Sequence, residues 1–152
     1  MHGVGRLLDV QDGEAWAREL AQQHAEDVVI AGSLFKPNAP GSSELSWSGL
    51  KPRQVMKARG IYLGERTILA ITPLDVYAVE ILFGGRIQRT IRRWARSDLV
   101  VSTVTTRGRP AGPRWPALLI ASRNGRQLAE VQALTRDDEA EHVARLLLAG
   151  RS

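Results

Sequence analysis

From Glu65 to Ala149 the chain is a succession of short apolar or alternating runs, broken by turn-forming residues and closed by one segment of helical period. The runs Thr67–Thr72, Asp75–Phe83, Ile87–Arg93, Leu99–Thr105, Pro116–Ser122 and Gln127–Leu134 have the length and the apolar or alternating pattern of strands. Asp75–Phe83 places Val76, Ala78 and Leu82 against Tyr77, Val79, Ile81 and Phe83, so both faces are apolar and the strand is expected deep in a sheet. Ile87–Arg93 sets Ile87, Arg89, Ile91 and Arg93 on one side and Gln88, Thr90 and Arg92 on the other. Gln127–Leu134 sets Ala129, Val131 and Ala133 against Leu128, Glu130 and Gln132, which predicts one covered and one wet face. Gly84-Gly85 and Asn124-Gly125 read as two-residue hairpin turns, since Gly and Asn accept the positive φ that a type I′ turn needs. Met56–Tyr62 is expected to be a further strand, weakened by Gly60.

The period then changes. Ala140, Val143, Ala144 and Leu147 form a helical stripe, widened by Leu146 and Leu148. Thr135 offers a hydroxyl cap, Asp137 and Asp138 suit the positive end of the helix, and Gly150 stands where the chain should leave it. A second helix is expected over Gly13–Ala31, with Trp16, Leu20 and Val28 on one face, His24 at its border and Gly32 as the stop. Ser33-Leu34-Phe35 would dock on the domain. Lys36–Arg53, rich in Pro, Gly and Ser, reads as a tether, with Leu45 and Trp47 as anchors that pin it to the domain or, alternatively, as a contact for a partner. The expected organisation is a helical extension over 1–35, a tether over 36–53 and a β domain with its closing helix over 54–152.

These elements define an α+β chain: an antiparallel sandwich or partly open barrel of about six to seven strands, preceded by one helix and capped by another. Over roughly residues 54 to 150 the order of strands and the closing helix resemble the pleckstrin-homology-like superfold, and Gly64-Glu65 before a strand is similar to the step that opens bacterial domains of that class. The resemblance implies a bent sheet whose open end the last helix plugs, and a binding module by analogy. A plain α+β domain with an antiparallel sheet is the alternative.

A chain of 152 residues fits one domain, and 43% hydrophobic with 24% charged residues is ordinary for a globular protein. There is no cysteine, which excludes disulfides, thiolate zinc sites and thiol nucleophiles. Three scattered histidines give no metal motif, Gly84-Gly85 lacks the Lys and Ser/Thr of a phosphate cradle, and the serines cluster in the tether. Asp75, Glu80, Asp98 and Glu130 are expected as solvated surface acids or partners of arginines rather than as an acid–base pair. The expectation is therefore a non-enzymatic protein with no cofactor and no metal. No long apolar leader and no membrane-spanning run is visible, so the expected location is the cytoplasm, at most peripheral to a membrane.

Charge adds the one feature that composition does not flatten. The net charge is +5, and Arg86, Arg89, Arg92, Arg93, Arg96, Arg107, Arg109 and Arg114 crowd a stretch whose one acid is Asp98, with Trp94 and Trp115 interleaved. Arginine binds phosphate and carboxylate through a planar fork and stacks on aromatic rings. Arg86, Arg89, Arg92, Arg93, Arg107, Arg109, Arg114 and Trp47 are the candidate partner-binding residues. The expected partner is a protein or an anionic membrane surface, with nucleic acid as the alternative and a solvated, acid-paired face as the bland reading. The oligomeric state stays open.

Overall fold

The computed structural model describes residues 13–39, 51–107 and 112–150. In chain order these form α1 (Gly13–Gln22), β1 (Ala31–Pro37), α2 (Pro52–Ala58), β2 (Thr67–Ile71), β3 (Asp75–Leu82), β4 (Ile87–Ala95), β5 (Leu99–Val104), β6 (Ala117–Ser122), β7 (Gln127–Ala133) and α3 (Asp138–Ala149). The strands make one 7-stranded antiparallel sheet in the order β4-β3-β2-β1-β7-β6-β5. The α+β class, with a helix before the sheet and a helix after it, is as the sequence predicts. β4 and β5 lie at opposite ends of that order, yet only the helical turn Arg96–Asp98 joins them. The sheet must therefore curl until its two outer strands meet at one corner. Arg96 holds that corner: its backbone N–H donates to Leu74 O at 2.8 Å and its Nη1 donates to Thr72 O at 3.2 Å. The β6–β7 hairpin reaches the same corner through Arg123 N–H to Asp98 O at 2.9 Å.

Two segments differ from the expected elements. The first helix stops at Gln22 rather than Ala31, because the Gln22 amide closes the turn beyond it, accepting from Val29 N–H at 2.8 Å and donating to Asp27 O at 2.9 Å. The β-branched run Val28-Val29-Ile30 then feeds into β1, which lies between β2 and β7. Gly32 lets α1 come close there: a Cβ would sit 3.2 Å from the Arg18 Cα, tighter than an ordinary contact. The second difference is Met56–Tyr62, where Pro52–Ala58 is helical. Pro52 suits the first helical position, and the Gln54 side chain accepts from Lys51 N–H at 3.1 Å. Met56 is the buried residue of this helix. Leu45 and Trp47 lie outside the described residues.

The core has two layers. On the inner face Phe35, Leu69, Val76, Leu118 and Val131 pack with Ala140, Val143, Ala144 and Leu147 of α3, so the predicted stripe is the buried one. On the outer face Ile68, Tyr77, Val79 and Ile81 lie under Ala17, Leu20 and Ala21 of α1. β3 feeds both layers, in keeping with its two apolar faces. The α3 cap is Asp137, whose carboxylate accepts from Ala140 N–H at 2.8 Å; Thr135 hydrogen-bonds Ser33 Oγ at 3.3 Å instead. Gly150 leaves the helix at φ 69° as expected.

The turns depart from their predicted type. Only Gly125 of Asn124-Gly125 has positive φ, and Gly125 N–H donates to Ser122 O at 2.9 Å. That is a type I turn followed by a left-handed glycine, a longer loop than type I′. Between β3 and β4 the turn has positive φ at both glycines as expected, 68° at Gly84 and 92° at Gly85, but also at Phe83, 51°, so it is longer than a two-residue turn.

The face of β7 predicted to be wet is covered: Glu130 and Gln132 are 4% and 2% exposed. Glu130 is held by a clasp. Asn38 Nδ2 donates to its Oε2 at 2.8 Å and to Thr105 O at 3.0 Å, while Asn38 Oδ1 accepts from Arg107 N–H at 3.0 Å. Arg107 Nε stands 3.7 Å from the same carboxylate oxygen. One buried amide thus ties the end of β1 to β7 and to the chain leaving β5. Removing such a partner strands a buried acceptor. Asn38→Ala is expected to lower stability by about 2 kcal/mol in urea unfolding; a loss within the scatter of surface substitutions would show the clasp to be idle.

Candidate functional site

Among the described residues β4 pairs with β3 alone. The register runs Leu82↔Ile87, Glu80↔Arg89 and Val79↔Thr90, then jumps to Ala78↔Arg92, Tyr77↔Arg93 and Val76↔Trp94. Ile91 is the extra residue of a bulge, and it shifts the alternation by one. Arg89 and Arg92 therefore stand on the side of Glu80 and Ala78, whereas Arg93 stands with Tyr77 on the α1 side. The strict alternation that put Arg89 and Arg93 on one face with Ile87 and Ile91 fails for this reason.

Most of these cations already have acids. Arg89 Nε is 2.8 Å from Glu80 Oε1. The Glu80 carboxylate lies against Gly64, where a Cβ would come within 2.6 Å of it and φ is +109°; only glycine fits the approach and the backbone together. Arg93 bridges Glu26 at 3.1 Å and Asp75 at 3.0 Å, with its guanidinium 5.0 Å from the Tyr77 ring centre. The Arg93 hydrogen bond holds the Glu26 carboxyl below its usual range, and Glu26 and Asp75 push the guanidinium up. Asp75, Glu80 and Glu130 thus serve as arginine partners, one of the two expected roles.

Arg107 and Arg114 lie away from β4. Arg107 belongs to the Asn38–Glu130 clasp. Arg114 reaches the first turns of α3, 2.9 Å from Glu141 and 2.5 Å from Asp138, and stacks 4.7 Å over Trp115, whose indole N–H donates to Asp137 O at 2.9 Å. The Arg114 hydrogen bond holds the Glu141 carboxyl below its usual range. Trp94 is half-buried against the inner core. The arginine-rich stretch is thus dispersed rather than gathered into one patch. Arg109 and Trp47 lie outside the described residues.

What remains is the ribbon of β3 and β4. Arg86 Nε donates to Phe83 O at 3.2 Å and Arg92 Nη1 to Ile91 O at 2.7 Å; among the described residues neither has a carboxylate partner. Arg66 joins them through Ile81 N–H to Arg66 O at 3.0 Å, and it too has no carboxylate partner among the described residues. Phe83 and Ile87, at the tip, are 67% and 47% exposed. Sequence reading missed Arg66, Phe83 and Ile87. Arg66 lies 20 positions before the arginine-rich stretch and meets it only through strand pairing. An aromatic directly before Gly-Gly was the available signal for Phe83, absorbed into the apolar count of β3.

Among the described residues no cluster of three or more His, Cys, Asp or Glu side chains is placed to hold a metal, and no helix is long and apolar enough to cross a membrane. No protein-family model, no curated protein and no solved structure matches this chain.

The lowered carboxyls set a pH dependence. A carboxylate whose folded pKa is depressed stabilises the fold above its unfolded value, and that contribution is lost as pH falls through the folded one. For Glu141 and Glu26 the loss falls below the ordinary value of 4.5. Arg114→Gln releases Glu141, so its stability deficit against the parent chain should be present at pH 7 and shrink towards pH 3 in urea unfolding. A deficit constant with pH would contradict the pairing.

Proposed function

We propose that this chain is a non-catalytic docking domain that holds a protein partner or an anionic membrane surface against the β3–β4 ribbon. The antiparallel sheet with its closing helix is compatible with the pleckstrin-homology-like superfold, but a superfold hosts many functions, so the reading rests on the surface. The observation that carries it is the charge balance along the ribbon. Glu80, Asp75 and Glu26 are engaged by Arg89 and Arg93, which leaves Arg66, Arg86 and Arg92 without a carboxylate partner among the described residues, Arg86 standing between exposed Phe83 and Ile87. Nucleic acid is the weaker reading. The arginines stacked on aromatic rings, Arg93 and Arg114, each engage two carboxylates, the Trp115 indole is committed to α3, and the remaining ring-stacked cation among the described residues, Lys57 over Tyr62, lies outside the ribbon.

Salt-dependent retention on immobilised heparin tests the reading. Two triple variants with the same loss of charge are compared: Arg66→Ser with Arg86→Ser and Arg92→Ser, and Arg59→Ser with Arg126→Ser and Arg145→Ser. Screened attraction through a defined surface should let the ribbon triple elute at clearly lower salt than the other. Equal elution would mean that only net charge matters and would overturn the docking surface.

A further inference from the structure

We infer that the tip of the ribbon, Phe83 to Ile87, is an insertion wedge, and that the anionic partner is a phospholipid bilayer. The inference rests on the docking function just proposed and names its partner.

Phe83 carries the argument. Its φ of 51° lies in the left-handed region, where a bulky side chain is disfavoured and where turns ordinarily place Gly, Asn or Asp. Packing does not explain the ring, because 67% of the residue is exposed. Neither turn chemistry nor the core calls for phenylalanine here, so the ring answers to something outside the fold. Ile87, 47% exposed, opens β4 directly after the turn. The tip also stands clear of the neighbouring strand: β2 begins at Thr67, opposite Glu80, and β3 runs on to Leu82.

Charge selects the occupant. Arg86 is within the tip and Arg66 beside Ile81, while the nearby acids Glu80 and Glu65 are engaged by Arg89 and by Arg53 at 3.1 Å. Un-neutralised cations around a small convex apolar point complement a layer of negative headgroups over an apolar interior. A nucleic-acid backbone offers the charge but nothing for an exposed isoleucine. A stable protein interface buries on the order of 800 Å² per partner, which two side chains on a convex tip do not supply.

The test uses the full chain and sedimentation with vesicles of phosphatidylglycerol and phosphatidylcholine, against phosphatidylcholine alone. Phe83→Asn keeps a residue that tolerates left-handed backbone, so the fold should hold, with thermal stability unchanged or raised. Its binding to anionic vesicles should fall on the order of ten-fold. The chain has no cysteine, so Phe83→Cys carrying an environment-sensitive dye should brighten on anionic vesicles. The same dye on Leu74→Cys, exposed in the turn at the other end of β3, should not. If Phe83→Asn binds as well as the parent chain, or the two dyes respond alike, the wedge is overturned and the docking surface stands. If anionic vesicles are not bound while the heparin difference persists, the bilayer is overturned alone. If both fail, the docking reading falls with it.

Discussion

β1 holds the sheet together. Among the described residues β2, β3 and β4 form one antiparallel meander and β5, β6 and β7 another, and β1 is the strand hydrogen-bonded to both. The chain itself crosses between the two at Arg96–Asp98. A sheet joined at its middle by one strand and at its ends by a three-residue turn has to bend, and the bend creates the concave interior that α3 fills. The seating of α1 on the opposite face depends equally on β1 occupying that central place.

The polar groups reinforce the same junction. Asn38 leaves β1 and satisfies a carboxylate on β7 and a carbonyl beyond β5, so a buried acid that would otherwise cost several kcal/mol becomes part of the seam. Glu139 of α3 accepts from Gly32 N–H at 3.0 Å and lies 3.7 Å from Arg18 of α1, which draws both helices to β1. The arginines serve a related purpose on the surface. Arg93 ties the segment after α1 to the start of β3, and Arg114 ties the chain before β6 to the first turns of α3. Four arginines of the stretch from Arg86 to Arg114, namely Arg89, Arg93, Arg107 and Arg114, thus serve as structural cement, whereas Arg86 at the ribbon tip has no carboxylate partner among the described residues.

The bulge at Ile91 shows how little is needed to redirect such a surface. One inserted residue turns Arg93 towards Tyr77 and α1 and leaves Arg89 on Glu80. Bulges and charged side chains also blunt an edge strand against pairing with other chains. β4 has both, which makes continuous strand addition along it unfavourable and leaves contact through side chains at its tip.

The sequence by itself determined the local matters: the period of α3 and its glycine stop, the two apolar faces of β3, the strands on either side of Asn124-Gly125 and the overall α+β class. These are set by side-chain alternation and capping over a few residues, where the repeat of 2 or 3.6 is visible without knowing the neighbours. The density of arginine was equally plain. Tertiary structure alone decided which of those arginines meet acids, because Glu26, Glu80 and Glu141 reach them only through strand register and helix docking. It also decided that Ala31–Pro37, interrupted by Gly32 and ended by Lys36-Pro37, is a central strand rather than the edge of a tether, and that the polar face of β7 is dry. Non-local hydrogen bonds and burial supply the free energy in each case, and no local pattern records them.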